Sequence, residues 1–108
     1  MENELCYAVW DGFPVGAGHA LVIPKRCFAN FFDATIEEKI SLLELLDKVK
    51  EKIDREYKPD AYNIGINCGA EAGQTVFHLH IHLIPRYKGD MDDPRGGVRG
   101  VIPSKQKY

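Results

Sequence analysis

The sequence predicts an α+β domain, an antiparallel sheet with one long helix on one face. Three observations carry this. An amphipathic segment of roughly 20 residues, beginning at Thr35, separates two pairs of short strand-like runs. The members of each pair are joined by loops too short for a parallel crossover. The run FHLHIHLIPR, Phe77 to Arg86, alternates histidine with aliphatic residues at the period of a strand.

The elements follow in order. Cys6 to Trp10 is β-branched and aromatic, and Asp11, Gly12 and Pro14 turn the chain into a loop ending at Gly18. His19 to Ile23 forms a second strand, closed by Pro24 and antiparallel to the first. In the connector that follows, Phe28, Phe31 and Phe32 are expected to pack under the next element. From Thr35, the residues Ile36, Ile40, Leu43, Leu46, Val49 and Ile53 recur at helical spacing. Their stripe is read as core packing rather than as a partner or membrane surface. Thr35 with Glu38 fits a capping box, Glu44–Lys48 and Glu51–Arg55 fit i,i+4 ion pairs, and Pro59 stops the helix. Tyr62 to Cys68 is a third strand, with Ile64 and Ile66 on one face and Asn63, Gly65 and Asn67 on the other. The loop GAEAGQ leads into the histidine strand, which Pro85 is expected to end. Residues 87–108, rich in glycine and proline, read as a C-terminal arm whose Arg95, Arg99, Lys105 and Lys107 are either solvated or reach toward phosphates.

A chain of 108 residues, 44 % hydrophobic, fits a single domain over 1–108. A net charge of −2 gives no general reason to expect nucleic acid or an acidic membrane as partner. Cys6, Cys27 and Cys68 are odd in number and form no CxxC pair, which fits free thiols in a reducing compartment. The start MENELC shows no secretory pattern, and no run approaches the roughly 18 apolar residues of a membrane span. A cytoplasmic protein is expected.

Three of the four histidines, His78, His80 and His82, fall on one face of the fourth strand, with Leu79, Ile81 and Leu83 on the other. Metal binding is one use. The outer pair would lie roughly 13 Å apart on an extended strand, so one ion could take only two of the three, with His19 as a further ligand. No carboxylate accompanies the cluster closely in sequence apart from Glu71. Nucleophilic catalysis by a neutral imidazole is the second use. The third, three histidines merely lining a polar face, is the weakest. The preceding loop offers flexible N–H groups around Gly73, the Gln74 amide and the Thr75 hydroxyl, uncharged donors suited to phosphate oxygens.

The run AGQTVFHLHIHLIPR resembles the signature of the histidine triad (HIT) family, and the resemblance extends upstream through DGFPVGAGHALVIPK and NIGINCGAEAGQ. The tail DPRGGVRGVIP is similar to that of a microbial branch related to dinucleoside polyphosphate hydrolases. The resemblance implies a nucleotidyl hydrolase or transferase acting on purine nucleotides, usually a homodimer whose two sheets join. His80 would attack the α-phosphorus and carry a covalent nucleotidyl group. His78 and His82 would support it, and His19 would be the fourth histidine of the site. Gln74 and Thr75 would hold phosphate oxygens, with Gly73 in the same loop and Asn67 along the phosphates. Asp11 would bind the ribose, and Val9 and Leu21 would wall the base.

The chain lacks the amino-terminal Cys-x-x-Cys pair with which many HIT proteins bind zinc, and Cys27 stands where a histidine often follows. No structural zinc and no tightly bound cofactor are therefore expected, although magnesium could accompany a polyphosphate substrate. Diadenosine polyphosphates are the favoured substrates. The alternatives are an AMP phosphoramidase on the same site, a zinc hydrolase using His19, His80 and His82, and a nucleotide-binding regulator with residual activity.

Overall fold

The β-branched and aromatic runs form four strands, and the Ile/Leu-rich segment forms the one α-helix, in a computed structural model that describes all 108 residues. The elements are β1 (Cys6–Trp10), β2 (Ala20–Pro24), α1 (Ile36–Tyr57), β3 (Ala61–Gly65) and β4 (Ile81–Arg86). The sheet order is β1-β2-β4-β3 and every pair is antiparallel. Both expected local pairs form. The two hairpin-like pairs are sewn together by β2 against β4, a non-local pairing that puts His82 opposite Leu21.

One face of the sheet is covered by α1. Val22, Ile81 and Leu83 from the sheet and Leu42, Leu45 and Ile53 from the helix are essentially inaccessible to solvent. No helix is long and apolar enough to cross a membrane. The three cysteines are free thiols.

The helix begins as expected. Thr35 accepts the Glu38 N–H, and Glu38 reaches back to the Thr35 N–H, completing the capping box. Of the expected stripe, Leu46, Val49 and Ile53 are buried, but its first half differs from the sequence reading. Ile36, Ile40 and Leu43 are more than half exposed, while Leu42, Leu45, Leu46, Val49 and Ile53 are buried. At 100° per residue the exposed trio lies about 130° round the helix from the buried set. Glu38 explains the rotation. Its carboxylate is buried and takes two hydrogen bonds from Arg26, at 3.0 and 2.8 Å, which turns position 38 inward and brings Leu42 and Leu45 beneath it. The exposed-face ion pairs also differ, being Lys50–Asp54 and Lys52–Glu56 rather than Glu44–Lys48 and Glu51–Arg55. Asp54 is held in that role by the Tyr62 hydroxyl at 2.6 Å. Phe28 and Phe31 pack against the core as expected, but Phe32 is 75 % exposed.

Strand ends shift for identifiable reasons. β3 stops at Gly65 and β4 starts only at Ile81, so His78 and His80 precede the strand. Beyond that point the connector takes over the pairing, because the Leu79 N–H donates to the Phe28 carbonyl at 2.8 Å. Burial still alternates, with Leu79, Ile81 and Leu83 inside and the three histidines partly open. Pro85 lies within β4, opposite Tyr62. Its missing N–H falls on the β2 side, where pairing has already ended at Ala20 and Leu83. The arm forms two short 3-10 turns, Gly97–Val101 and Pro103–Lys105.

The Arg26 guanidinium, followed by the Thr35 cap, holds the Glu38 carboxyl down at about 2. Its folded value is below the unfolded one, so its contribution is full above the ordinary 4.5 and is lost as pH falls toward 2. Glu38→Ala should cost about 2–3 kcal/mol by urea denaturation at neutral pH, whereas Glu44→Ala and Glu51→Ala should stay within about 0.5 kcal/mol.

Candidate active site

The open face of the sheet carries the chemistry. Antiparallel register places Val9, Leu21, His82 and Gly65 in one row across the four strands. The next row joins Asp11 to His19, whose carbonyl accepts the Asp11 N–H at 2.9 Å, and continues to Ile84 and Asn63. His19 precedes β2 and is 3 % exposed. Gly18, with φ of +87°, lets the loop approach the helix end, where a Cβ would lie 2.9 Å from the Tyr57 ring.

Backbone groups fix the tautomers of His19, His78 and His80, and His19 fixes that of His82. The Val15 N–H donates to His19 Nδ1 at 3.0 Å, so neutral His19 carries its proton on Nε2. That Nε2–H lies 3.0 Å from His82 Nδ1 and 3.3 Å from Asp11 Oδ2. His82 Nδ1 therefore accepts, and its own proton sits on Nε2. His80 Nδ1 donates to the His78 carbonyl at 2.8 Å, which leaves the His80 Nε2 lone pair free. His78 Nε2 donates to the Pro24 carbonyl at 2.8 Å. His19, His82 and His80 form a contiguous set, with ring centroids 5.2 and 5.0 Å apart along it. His78 is tied to the end of β2 instead.

Asp11 brings the carboxylate that the sequence did not place near the cluster. It is distant along the β1–β2 loop but adjacent across the pair, with Oδ1 held by the Phe13 N–H at 2.8 Å. Asp11, His19 and His82 present ligand atoms within 4.8 Å of one another, a possible cation set. The hydrogen bonds oppose that use. Coordination through His19 Nε2 would need a proton on Nδ1, facing the Val15 N–H donor.

The loop donors are redistributed from those expected. The Gln74 side chain is buried, with Oε1 accepting the Gly69 N–H at 2.9 Å and Nε2 donating to the Ala29 and Val76 carbonyls. It braces the loop and has no N–H left for a phosphate. The N–H groups of Gly73 and Gln74 are also taken, by the Ala70 and Gly69 carbonyls. Thr75, Val76 and Phe77 keep backbone N–H groups without partners in the chain, and the Thr75 hydroxyl is exposed. Asn67 borders an open cavity with His19 and His82. Val9 borders a separate, mostly apolar cavity of about 320 Å³ with Trp10 and Val49, and Leu21 stands beside Val9 in register.

Sequence reasoning missed Val15, which acts through its N–H, and the carbonyls of Pro24 and His78. No side-chain pattern signals a backbone group. It also passed over Asn63, although its alternation with Asn67 was visible.

Burial pushes His19 and His82 below the ordinary imidazole value, and for His82 the neighbouring His80 and His19 add to this. The folded state thus disfavours their protonation. Their contribution to stability is present above the ordinary 6.5 and is lost as pH falls below it, where the unfolded chain takes up protons first. The melting temperature should drop between about pH 7.5 and 5.5, and the drop should shrink in His19→Gln. An equal drop in the variant would contradict the linkage.

Comparison with known proteins bears on what this cluster does. Residues 1–89 match the HIT domain. A HIT-like protein of Mycoplasma pneumoniae is 42 % identical over 88 residues, 81 % of this chain and 60 % of that one. An asymmetrical bis(5'-nucleosyl)-tetraphosphatase of Schizosaccharomyces pombe is 42 % identical over 80 residues, 74 % of this chain and 44 % of that one. The crystal structure of a HIT family protein from Bacillus anthracis superposes with a TM-score of 0.79 at 40 % identity, covering 83 % of this chain and 64 % of that one. The chain thus spans less than two thirds of the length of each. With the domain matched over most of the chain and the fold shared, the chain belongs to the HIT family.

Proposed function

We propose that the chain is a nucleotidyl hydrolase that cleaves at the α-phosphorus of purine nucleotides, through a nucleotidyl group held on His80. Diadenosine polyphosphates are the favoured substrates. One observation carries the reading: the Nδ1–H bond to the His78 carbonyl leaves His80 Nε2 as an unprotonated nitrogen beside His82. The tetraphosphatase relative supports the substrate class.

In the first step the Nε2 lone pair forms an N–P bond as the P–O bond to the leaving phosphate breaks, and the electron pair leaves with that oxygen. The His80 ring becomes a phosphorylated imidazolium. Its Nδ1–H then donates more strongly to the His78 carbonyl, so a bond that fixes the tautomer also stabilises the developing charge. His82 Nε2–H hydrogen-bonds the departing oxygen and is itself oriented by His19. In the second step water attacks phosphorus, the N–P bond breaks with its electron pair returning to Nε2, and the proton lost from water passes to solvent.

The N–H groups of Thr75, Val76 and Phe77, with the Thr75 hydroxyl, face the non-bridging oxygens, and Gln74 acts by holding that loop. Asp11 serves the ribose and orients His19. Val9 and Leu21 wall the base, and Asn67 lies along the phosphates. No resident metal takes part. The open edge of β3, with Ile64 half exposed, supports a homodimer with joined sheets.

Rapid-quench intact mass with diadenosine tetraphosphate should show a nucleotidyl adduct on the wild type and none on His80→Ala, whose turnover should fall at least about 10³-fold. Full turnover in His80→Ala would sink the assignment. Chelator treatment followed by magnesium should leave activity intact, and a requirement for added zinc would favour a metal hydrolase.

A further inference from the structure

The arm returns over the open face of the sheet and builds a second wall beside the histidines. Its first 3-10 turn packs against β3, where a Cβ on Gly97 would lie 3.3 Å from Asn63 Nδ2. Between this turn and the β1–β2 loop lies a cavity of about 390 Å³. His82 and Ile84 belong to its lining, Val15 borders it from the β1–β2 loop, and Val98 and Val101 border it from the arm. Asn63 and Asn67 are the amides that line it. His80 does not line it, so it begins where His82 ends and extends about 7 Å further along β4, to Ile84.

The lining says what fits. It contains no lysine, arginine, aspartate or glutamate. A polyphosphate chain would call for cations or a run of free N–H groups, which lie at the other end of the site. Asn63 Oδ1 is held by Arg86 at 2.7 Å, and aliphatic walls with the Asn67 amide and the His19 and His82 rings suit a flat, uncharged heterocycle in a volume within the range of small-ligand sites.

Two basic residues of the arm are engaged within it. Arg99 donates to the Lys105 carbonyl at 3.1 Å and stacks over the Tyr108 ring, and Lys107 pairs with Asp93 at 3.5 Å. They fasten the arm to itself. Gly96 completes the fastening. It has φ of +90°, and any Cβ there would fall 1.8 Å from the Gln106 carbonyl oxygen.

From this geometry we infer that the cavity is a subsite for the nucleoside of the leaving half of the substrate, and that Val98 and Val101 determine specificity for it. The inference rests on the hydrolase reading above. In the bound substrate, one nucleoside lies over Val9 and Leu21, the reacting phosphorus stands at His80, and the far nucleoside enters between Val15 and the arm. The arm selects dinucleotides by apolar contact, not by charge.

The test compares kcat/KM for diadenosine tetraphosphate and adenosine 5'-tetraphosphate, which share the phosphate chain and differ in the second nucleoside. Wild type should prefer the dinucleotide by about tenfold or more, and Val98→Asn with Val101→Asn should reduce the preference to about threefold or less. The ratio of the two kcat/KM values is the readout, so a loss of activity common to both substrates cancels and only a loss confined to the second nucleoside lowers it. No preference in the wild type, or an unchanged preference in the double variant, would overturn the subsite and leave the hydrolase reading standing. Turnover of neither substrate by the wild type would overturn the hydrolase reading, and the subsite with it.

Discussion

A backbone N–H can only donate a hydrogen bond and a carbonyl oxygen can only accept one, so a backbone partner removes the ambiguity of an imidazole. Val15 N–H, Pro24 C=O and His78 C=O do this for His19, His78 and His80, and His19 passes the constraint to His82. In the neutral form of each ring one nitrogen is thereby assigned. Burial favours the neutral form of His19 and His82, which the arrangement needs, because a second proton on His82 Nδ1 would oppose the bond from His19, and one on His19 Nδ1 would oppose the Val15 N–H.

These backbone groups hold position because the fold fixes them from several sides. β2 lies between β1 and β4, so the Pro24 carbonyl at its end meets His78, and His19 at its start meets His82. The connector after β2 is held at two points, Phe28 to Leu79 and Ala29 to Gln74, and its Arg26 ties it to the start of the helix through Glu38. The segment carrying His78 and His80 is thereby stabilised by connector contacts in place of a ladder with β3. Leaving the ladder frees N–H groups at Thr75 to Phe77, which a continuous strand would have used.

Much of this was legible in the residues. The alternation of His78, His80 and His82 with three aliphatics gave the correct inside and outside, and Thr35 with Glu38 marked the helix start. The reading failed where tertiary partners overrode local pattern. Ile36, Ile40 and Leu43 have helical spacing, but the exposed Arg26 holds the Glu38 carboxylate in a buried position and turns the helix the other way. Gln74 has the chemistry of a phosphate donor, yet loop carbonyls occupy both its N–H groups. Asp11 sits eight positions from His19 in the chain and beside it in the sheet, a proximity set by hairpin register. The basic arm invited a phosphate-binding reading, whereas Arg99 and Lys107 bind the arm itself and Val98 and Val101 line the cavity.

The central claim is the tautomer of His80, and ring ¹⁵N shifts from long-range ¹H–¹⁵N correlation spectra at neutral pH measure it directly. The hydrogen-bond pattern requires the proton of His80 on Nδ1 and those of His19, His78 and His82 on Nε2. An Nε2–H tautomer at His80 would mean that the His78 carbonyl does not hold the ring and that no free lone pair faces a substrate. A fully charged His19–His82 pair at that pH would contradict the neutral cluster on which the rest depends.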